Sequence, residues 1–217
     1  MRYLQSAFAG EGASDFDFLK PLMERLLDDV LLSKSTEDCE VGPPFDVKPN
    51  NKPGNAPDAV VSQVLAEFSY IDVLFYHSDA GNDVAGAYVN RVQRVSEGLA
   101  DAGWSGAVVG VVPRREMEAW ALADSVTLCA VLGLRHEAVS VPRDFRPTRV
   151  EGIRDPKAAL DKFVTAARGR TRISAGGEGL LTALSQRIEL AHLSEVPQVR
   201  RLYADLESVL RSQGVLG

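Results

Sequence analysis

The seven residues Gly106-Ala107-Val108-Val109-Gly110-Val111-Val112, closed by Pro113, form an almost unbroken apolar run. A strand apolar on both faces needs a packed layer on each side, which is the environment inside a parallel sheet covered by helices. Two other segments read as strands of the same sheet. Residues 2–9 (RYLQSAFA) alternate loosely and stop at the tight turn Gly10-Glu11-Gly12. Residues 71–77 (IDVLFYH), rich in β-branched and aromatic side chains, end on Ser78-Asp79-Ala80-Gly81. Helical spacing fills the intervals. Ser14 reads as an N-cap with Asp17 three residues on, after which Leu19, Leu22, Met23, Leu26, Leu27, Val30 and Leu31 recur on one face, and Pro21 marks either a kink or the true first turn. A second helix is expected over about 58–68, and a third over 84–100, where Val84, Ala87, Tyr88, Arg91, Val92, Val95 and Leu99 share a face. Alternating strands and helices predict an α/β fold with a mostly parallel sheet and helices on both sides.

Residues 33–57, rich in proline, glycine and asparagine, read as a long irregular loop, and 42–57 could serve as a lid. A helix carrying Met117, Trp120, Ala121 and Leu122 is expected to start near Arg115. Past residue 126 the pattern becomes mainly helical, with helices near 125–133, 156–168, 177–191 and 196–212. The organisation read from this is an α/β core over 1–125 and a helical, arginine-rich extension over 126–217 that packs on it.

A chain of 217 residues with 45% hydrophobic side chains can bury one sizeable core. The apolar stretch at the N-terminus is too short for a signal-peptide core, and no apolar run approaches the roughly 20 residues needed to span a bilayer. Cys39 and Cys129 are far apart and lack partners at metal-ligand spacing, which argues against a zinc site or a disulfide framework and points to a cytoplasmic protein. The net charge of −6 alone disfavours a general nucleic-acid binder. It is unevenly spread: residues 1–125 hold 20 acidic and 10 basic side chains, and residues 126–217 hold 10 and 14. The basic excess is mostly arginine, including Arg146 and Arg149, and with Arg114 and Lys157 these are the candidate contacts to phosphate, a role that guanidinium groups suit by bidentate bonding. A solvated surface of scattered ion pairs would have the same composition.

Ligands of open parallel sheets bind outside the carboxyl ends of the strands. Glu11 follows the first strand, Asp79 and Asp83 the second, and Glu116 and Glu118 the third, while Asp15 lies four residues beyond Glu11. Carboxylates gathered at one edge repel one another unless a cation lies between them, and hard oxygen donors suit Mg²⁺ or Mn²⁺. Such an ion can bridge a phosphate, activate water and stabilise a leaving oxygen. Asp15, Asp83 and Glu116 can also be read as ordinary first-turn helix acids. His136 and His192 read as surface or capping histidines, Trp120 as core, and Lys157 as either a helix-start residue or a phosphate contact.

The order of these residues resembles a known family. Gly10-Glu11-Gly12-Ala13-Ser14-Asp15 resembles the E-G-x-x-[DE] turn of the Toprim signature, and His77-Ser78-Asp79-Ala80-Gly81 stands where that fold carries its D-x-D. Residues 113–124 (PRREMEAWALAD) are similar to the P-x-x-E-x-E-A-W-x-L-A-D block of an uncharacterised Toprim-like family, and Asp155-Pro156-Lys157 and a closing helix near Leu202 to Leu210 extend the likeness. The resemblance implies a Toprim-like metal-dependent phosphoryl-transfer core, related to the nucleases of the overcoming-lysogenisation-defect group. It also implies a setting beside an AAA or ABC-type ATPase in bacterial phage defence. By position, Glu11 would be a general acid/base or metal ligand and catalytic together with Asp79, Asp79 a metal ligand, Asp15 and Asp83 secondary ligands, and Glu116 and Glu118 supporting acids. One departure stands out: either His77 replaces the first carboxylate of the D-x-D, or Gly81 replaces the second. Asp83 could restore the charge, and a site weakened for magnesium or selective for manganese fits the change. The functions that follow are a Mg²⁺- or Mn²⁺-dependent nuclease, a catalytically weak scaffold that docks an ATPase, or a small-nucleotide phosphohydrolase.

Overall fold

The structure, a computed structural model, describes residues 1–49, 55–168 and 177–217. Its strands are β1 (Arg2–Leu4), β2 (Ser6–Ala9), β3 (Cys39–Val41), β4 (Phe45–Val47), β5 (Val73–His77) and β6 (Ala107–Val111). The four-stranded sheet runs β4-β2-β5-β6, every pairing is parallel, and β1 and β3 pair alongside as a second parallel ladder. The expected first strand is therefore split at Gln5, whose N–H donates to the Asp72 carboxylate at 2.8 Å.

The period of two sorts the side chains onto two cores. Phe8, Phe75 and Val109 stand in register and enter the larger core, whereas Ala7 and Leu74 stand in register in the smaller one, with Val108 packed against it. The larger core is closed by α1 (Ala13–Lys34), whose Phe18, Leu19, Leu22, Met23, Leu26 and Leu27 are all buried. Truncating one of these leucines to alanine costs about 2–5 kcal/mol. The smaller core is closed by α2 (Pro57–Glu67) through Val60 and Val64, and by the helix that runs from α3 (Val84–Ala87) through a π-helical stretch, Tyr88–Gln93, into α4 (Arg94–Asp101). Helices thus cover both faces of a parallel sheet, as the apolar run at 106–112 requires.

The remaining helices are α5 (Glu118–Ala121), α6 (Ser125–Val131), α7 (Pro156–Arg168), α8 (Gly177–Arg187), α9 (Leu190–Leu193) and α10 (Pro197–Ser212). Leu184, Leu202, Leu206 and Leu210 join the same core as Leu22 and Trp120, so the C-terminal helices complete the large core, and α10 packs against the edge strand β6. Among the described residues no helix is long and apolar enough to cross a membrane.

Four local expectations change. The stretch 33–57 is not irregular throughout, because Cys39–Val41 and Phe45–Val47 extend the sheet beside β1 and β2. Three-residue strands separated by Gly42-Pro43-Pro44 carry too little alternation to be read alone. Asn50 to Gly54, part of the expected lid, lies outside the described residues. The N-cap of α1 is Gly12 rather than Ser14, and Asp15, not Asp17, reaches back to the chain entering the helix. The helix expected from Arg115 is only the short α5, after which Asp124 caps α6 by accepting from the Thr127 N–H at 3.0 Å. The helix expected over 177–191 ends at Arg187, where the Glu189 N–H turns to Asp124 at 3.1 Å, and α9 follows separately.

Candidate metal centre

The turn from β2 into α1 is shaped by one buried carboxylate. Oδ2 of Asp15 accepts the N–H of Glu11 and the N–H of Gly12, each at 2.8 Å. Gly10 permits that approach, since a Cβ there would lie 2.8 Å from Phe8 Cε1 and 3.0 Å from Asp15 Cβ. Asp15 is thus engaged in holding the loop, and the loop presents Glu11, whose side chain is 49% exposed, at the carboxyl end of β2.

Glu11 is held from the opposite side. Its Oε1 accepts from Asn55 Nδ2 at 3.1 Å and faces Arg91 Nη2 at 3.4 Å. Asn55 is fully buried; its amide also donates to the His77 carbonyl at 2.9 Å and its Oδ1 accepts from Arg91 at 2.8 Å. Tyr76 donates its hydroxyl to the Asn55 carbonyl at 2.8 Å and accepts from Arg91 Nε at 3.2 Å. Burial pushes the Tyr76 phenol above its ordinary pKa, which keeps it a neutral donor. Neither Asn55 nor Arg91 was expected at the site. Arg91 had left a signal, a guanidinium among the apolar residues on the sheet-facing stripe of 84–100. Asn55 had left none, because asparagine in a proline- and glycine-rich loop reads as a turn residue.

His77 ends β5 and is only 1% exposed. Its Nδ1 bonds the Val111 carbonyl at 2.9 Å, its ring stacks on Phe8, and its Nε2 lies 3.5 Å from Asp79 Oδ1 and 3.8 Å from Asp15 Oδ2. Burial holds the imidazole below its ordinary pKa, with Asp15 opposing, so the ring is neutral at physiological pH.

Asp79 feels the whole acidic edge. Burial, then the charges of Asp15, Glu11, Glu118 and Glu116, push its carboxyl up to about 8. Its side chain is still 39% exposed, so solvent moderates that repulsion. Glu118 is buried and also raised, by burial and then by Glu116, while Lys157 pulls the other way. Glu116 accepts the Lys157 N–H at 3.2 Å. Four sequence-separated pieces therefore bring Glu11, Asp15, Asp79, Glu116, Glu118 and Lys157 into mutual electrostatic reach. Asp83 stands apart: it caps α3 by accepting the Gly86 N–H at 2.9 Å and is not among the acids acting on Asp79.

The turn after Asp79 is tied to the chain after β6. Asn82 adopts a φ of 90°, its N–H donates to the Arg114 carbonyl at 2.7 Å, and Arg114 Nε donates back to its Oδ1 at 3.0 Å. A left-handed asparagine of this kind is tolerated where surrounding bonds hold it. Arg114 and Arg149, both exposed, line a cleft of about 410 Å³ with Asp144, Thr148, Glu151, Gly152 and Pro197. Arg146 is exposed on the same loop, where its carbonyl accepts the Arg149 N–H at 2.8 Å. A separate cleft of about 570 Å³ between Pro49 and α2 contains none of the clustered acids.

The other singled-out residues lie elsewhere. Trp120 is fully buried in the large core and donates to Glu151 at 3.2 Å. His192 pairs with Asp124 at 3.5 Å, an acidic neighbour its sequence surroundings did not reveal, and His136 Nε2 lies 3.1 Å from Ser125 Oγ.

Among the described residues, no three histidine, cysteine, aspartate or glutamate groups stand close enough, as they lie, to hold a metal ion. The chemistry of the donor set nevertheless fits one. Several carboxylates share a sheet edge, and the charges of Asp15, Glu11, Glu118 and Glu116 add to burial in raising Asp79. Glu11 and Asp79 are exposed enough to turn toward a shared cation. No protein-family model matches the chain, and the searches of curated proteins and of solved structures returned no match.

Proposed function

We propose that this chain is a divalent-metal-dependent nuclease that hydrolyses nucleic-acid phosphodiesters. The observation that carries the reading is the convergence of Glu11, Asp79, Glu116 and Glu118 at the carboxyl edge of a parallel sheet, where burial first and then the neighbouring charges raise the Asp79 carboxyl to about 8. Mutual repulsion does not help folding, and an edge that gathers like charges is more economically explained by a cation than by stability.

Glu11 and Asp79, supported by Glu116 and Glu118, would hold Mg²⁺ or Mn²⁺, which when bound supplies Lewis-acid activation of a water and charge stabilisation at the phosphoryl oxygens. Asn55 and Arg91 fix one oxygen of Glu11 and leave the other free to take a proton from an attacking water. Arg114 and Arg149 would grip the backbone from their cleft, and Lys157, at the start of α7, donates its main-chain N–H to Glu116 and sets its charge against Glu118, where it could also meet a phosphate. Phosphate gripping of this kind makes binding weaken steeply with salt.

The second reading, a catalytically weak scaffold that docks an AAA or ABC-type ATPase in a phage-defence setting, draws on one observation, the histidine where a carboxylate of the D-x-D would stand. One assay separates the two. Supercoiled plasmid, single-stranded DNA and structured RNA are incubated with the protein in Mg²⁺, Mn²⁺ or chelator, beside Glu11→Gln. Cleavage that requires the ion and disappears in the variant supports the nuclease. A folded protein that cleaves none of the three polymers with either ion refutes it and leaves the scaffold.

A further inference from the structure

We propose that the nucleic acid this chain takes is single-stranded, with an unpaired base seated in an apolar groove between the loop 139–145 and α7 and the adjoining phosphate against Arg114 and Arg149. This rests on the nuclease reading and specifies its substrate class.

The groove is a row of clefts that share walls. Asp144 lines both the cleft of about 410 Å³ that holds Arg114 and Arg149 and a second cleft of about 370 Å³. Ser140, Phe163 and Ala166 line that second cleft and also a third of about 210 Å³. The row begins beside the acidic edge. Arg114 is bonded through its carbonyl and its Nε to Asn82, on the turn that follows Asp79. A strand crossing that edge meets the polar cleft first and the apolar ones beyond it.

The lining changes character along the row. In the first cleft two guanidinium groups stand with the Thr148 hydroxyl, a set that suits a phosphate. Glu151 lines it too, but its carboxylate is buried and engaged by Trp120 Nε1 at 3.2 Å and by the Gln198 N–H at 3.3 Å. The second cleft is walled by Pro142, Phe145, Ile153 and Phe163, with Lys162 at its side. Phe145 and Phe163 pack with ring centroids 5.4 Å apart, which gives the cleft a firm apolar floor. Its volume lies within the roughly 300–1,000 Å³ of pockets that take small organic groups.

Asp144, at the junction, sets the register. A carboxylate repels a phosphate but accepts from a base N–H or a sugar hydroxyl, so the phosphate belongs on the arginine side and the base on the apolar side. Among the described residues neither Asp144 nor Lys162 makes a hydrogen bond or ion pair, which leaves the lysine for the next phosphate.

The pairing state follows from the apolar cleft. Guanidinium groups by themselves bind paired and unpaired strands alike, since both carry phosphates. In a duplex the base faces are stacked on one another and have nothing to give the cleft. An unpaired base offers a flat face that gains by leaving water for an apolar wall.

The test is binding to the full-length protein in chelator, which keeps metal-dependent cleavage out of the readout. Fluorescence anisotropy compares a thymidine strand of about 12 nucleotides, its uridine ribo-counterpart, an abasic strand and a duplex of the same length. The expected result is that one or both base-bearing strands bind about tenfold more tightly than the abasic strand and the duplex, the two sugars separating DNA from RNA. Ala166 is exposed on the wall that the two apolar clefts share, so Ala166→Met fills them without entering the core. In that variant the advantage of the base-bearing strand narrows while the melting temperature holds. Equal binding of base-bearing and abasic strands, a duplex bound as tightly as the single strand, an advantage that survives Ala166→Met, or no binding of any probe overturns the proposal. Its failure is separable from that of the nuclease: base-dependent binding without cleavage in either ion leaves the groove and removes the enzyme, and ion-dependent cleavage without base-dependent binding does the reverse.

Discussion

Removing the Asp15 carboxylate tests how the β2–α1 turn is held. In Asp15→Ala two main-chain donors, the N–H groups of Glu11 and Gly12, lose an acceptor that each reaches at 2.8 Å. A hydrogen bond to a charged group contributes about 1.5–3 kcal/mol. Glu11 sits at the surface, where water can replace part of what is lost, so the lower end applies and the pair amounts to about 3 kcal/mol. Against this, the change removes a negative charge beside Asp79 and Glu118, a partly screened repulsion whose relief is worth about 1 kcal/mol. The net expectation is destabilisation of about 2 kcal/mol, or about 4–8 °C in a chain of this length. Asp15→Asn, which retains one acceptor oxygen and also relieves the repulsion, should lose about half as much. The measurement is urea unfolding by circular dichroism in chelator with unchanged m, joined to amide exchange at Glu11 and Gly12. If Asp15→Ala stays within about 0.5 kcal/mol of wild type, or those two amides keep their protection, Asp15 does not brace the turn.

Gly10→Ala puts a methyl 2.8 Å from Phe8 Cε1 and 3.0 Å from Asp15 Cβ, and should destabilise by about 1–3 kcal/mol in thermal melts; an unchanged melting temperature would mean the turn has slack. Asn55→Ala removes the amide between Glu11, His77 and Arg91 and should lower stability by about 2–4 kcal/mol, whereas Arg91→Lys keeps the charge and, with the fork to Tyr76 and Asn55 broken, should lower cleavage more than it lowers the melting temperature. The pH dependence has a definite sign at Asp79. Its carboxyl rises to about 8 in the folded chain, so between an unfolded pKa of about 3.9 and that value the folded state holds a proton that the unfolded state does not. Stability contributed there falls as pH rises through the window, by about 1 kcal/mol once solvent screening of a side chain 39% exposed is allowed for. Urea midpoints taken in chelator across the window should fall less steeply in Asp79→Asn; an identical slope would remove Asp79 as the group responsible.

Some of this was legible because it depends on one segment at a time. The both-faces apolar run at 106–112 requires a covered parallel sheet, and helical spacing marks α1 and α10 without help from tertiary contacts. The clustering of Glu11, Asp79, Glu116 and Glu118 was also within reach, since a parallel sheet carries the ends of its strands to one edge whatever lies between them. What stayed hidden depends on pairs. β3 and β4 exist because β1 and β2 present partners to them, and Cys39–Val41 alone carries no pattern long enough to read. Asp83 and Asp15 are both acids one turn from a strand end, and only the observed bonds divide them into a helix cap and a loop brace. His77 is the sharpest case. Its position beside Asp79 was visible as a departure from D-x-D, but that its Nδ1 carries a proton is decided by the Val111 carbonyl, 34 residues away. That carbonyl reaches Nδ1 only once β5 lies beside β6, with His77 opposite Val111 in the register. The fold therefore fixes which ring nitrogen faces a carbonyl acceptor and which faces the acids. A substitution that shifted β6 by one residue would take that carbonyl away from Nδ1 without touching any of the acids.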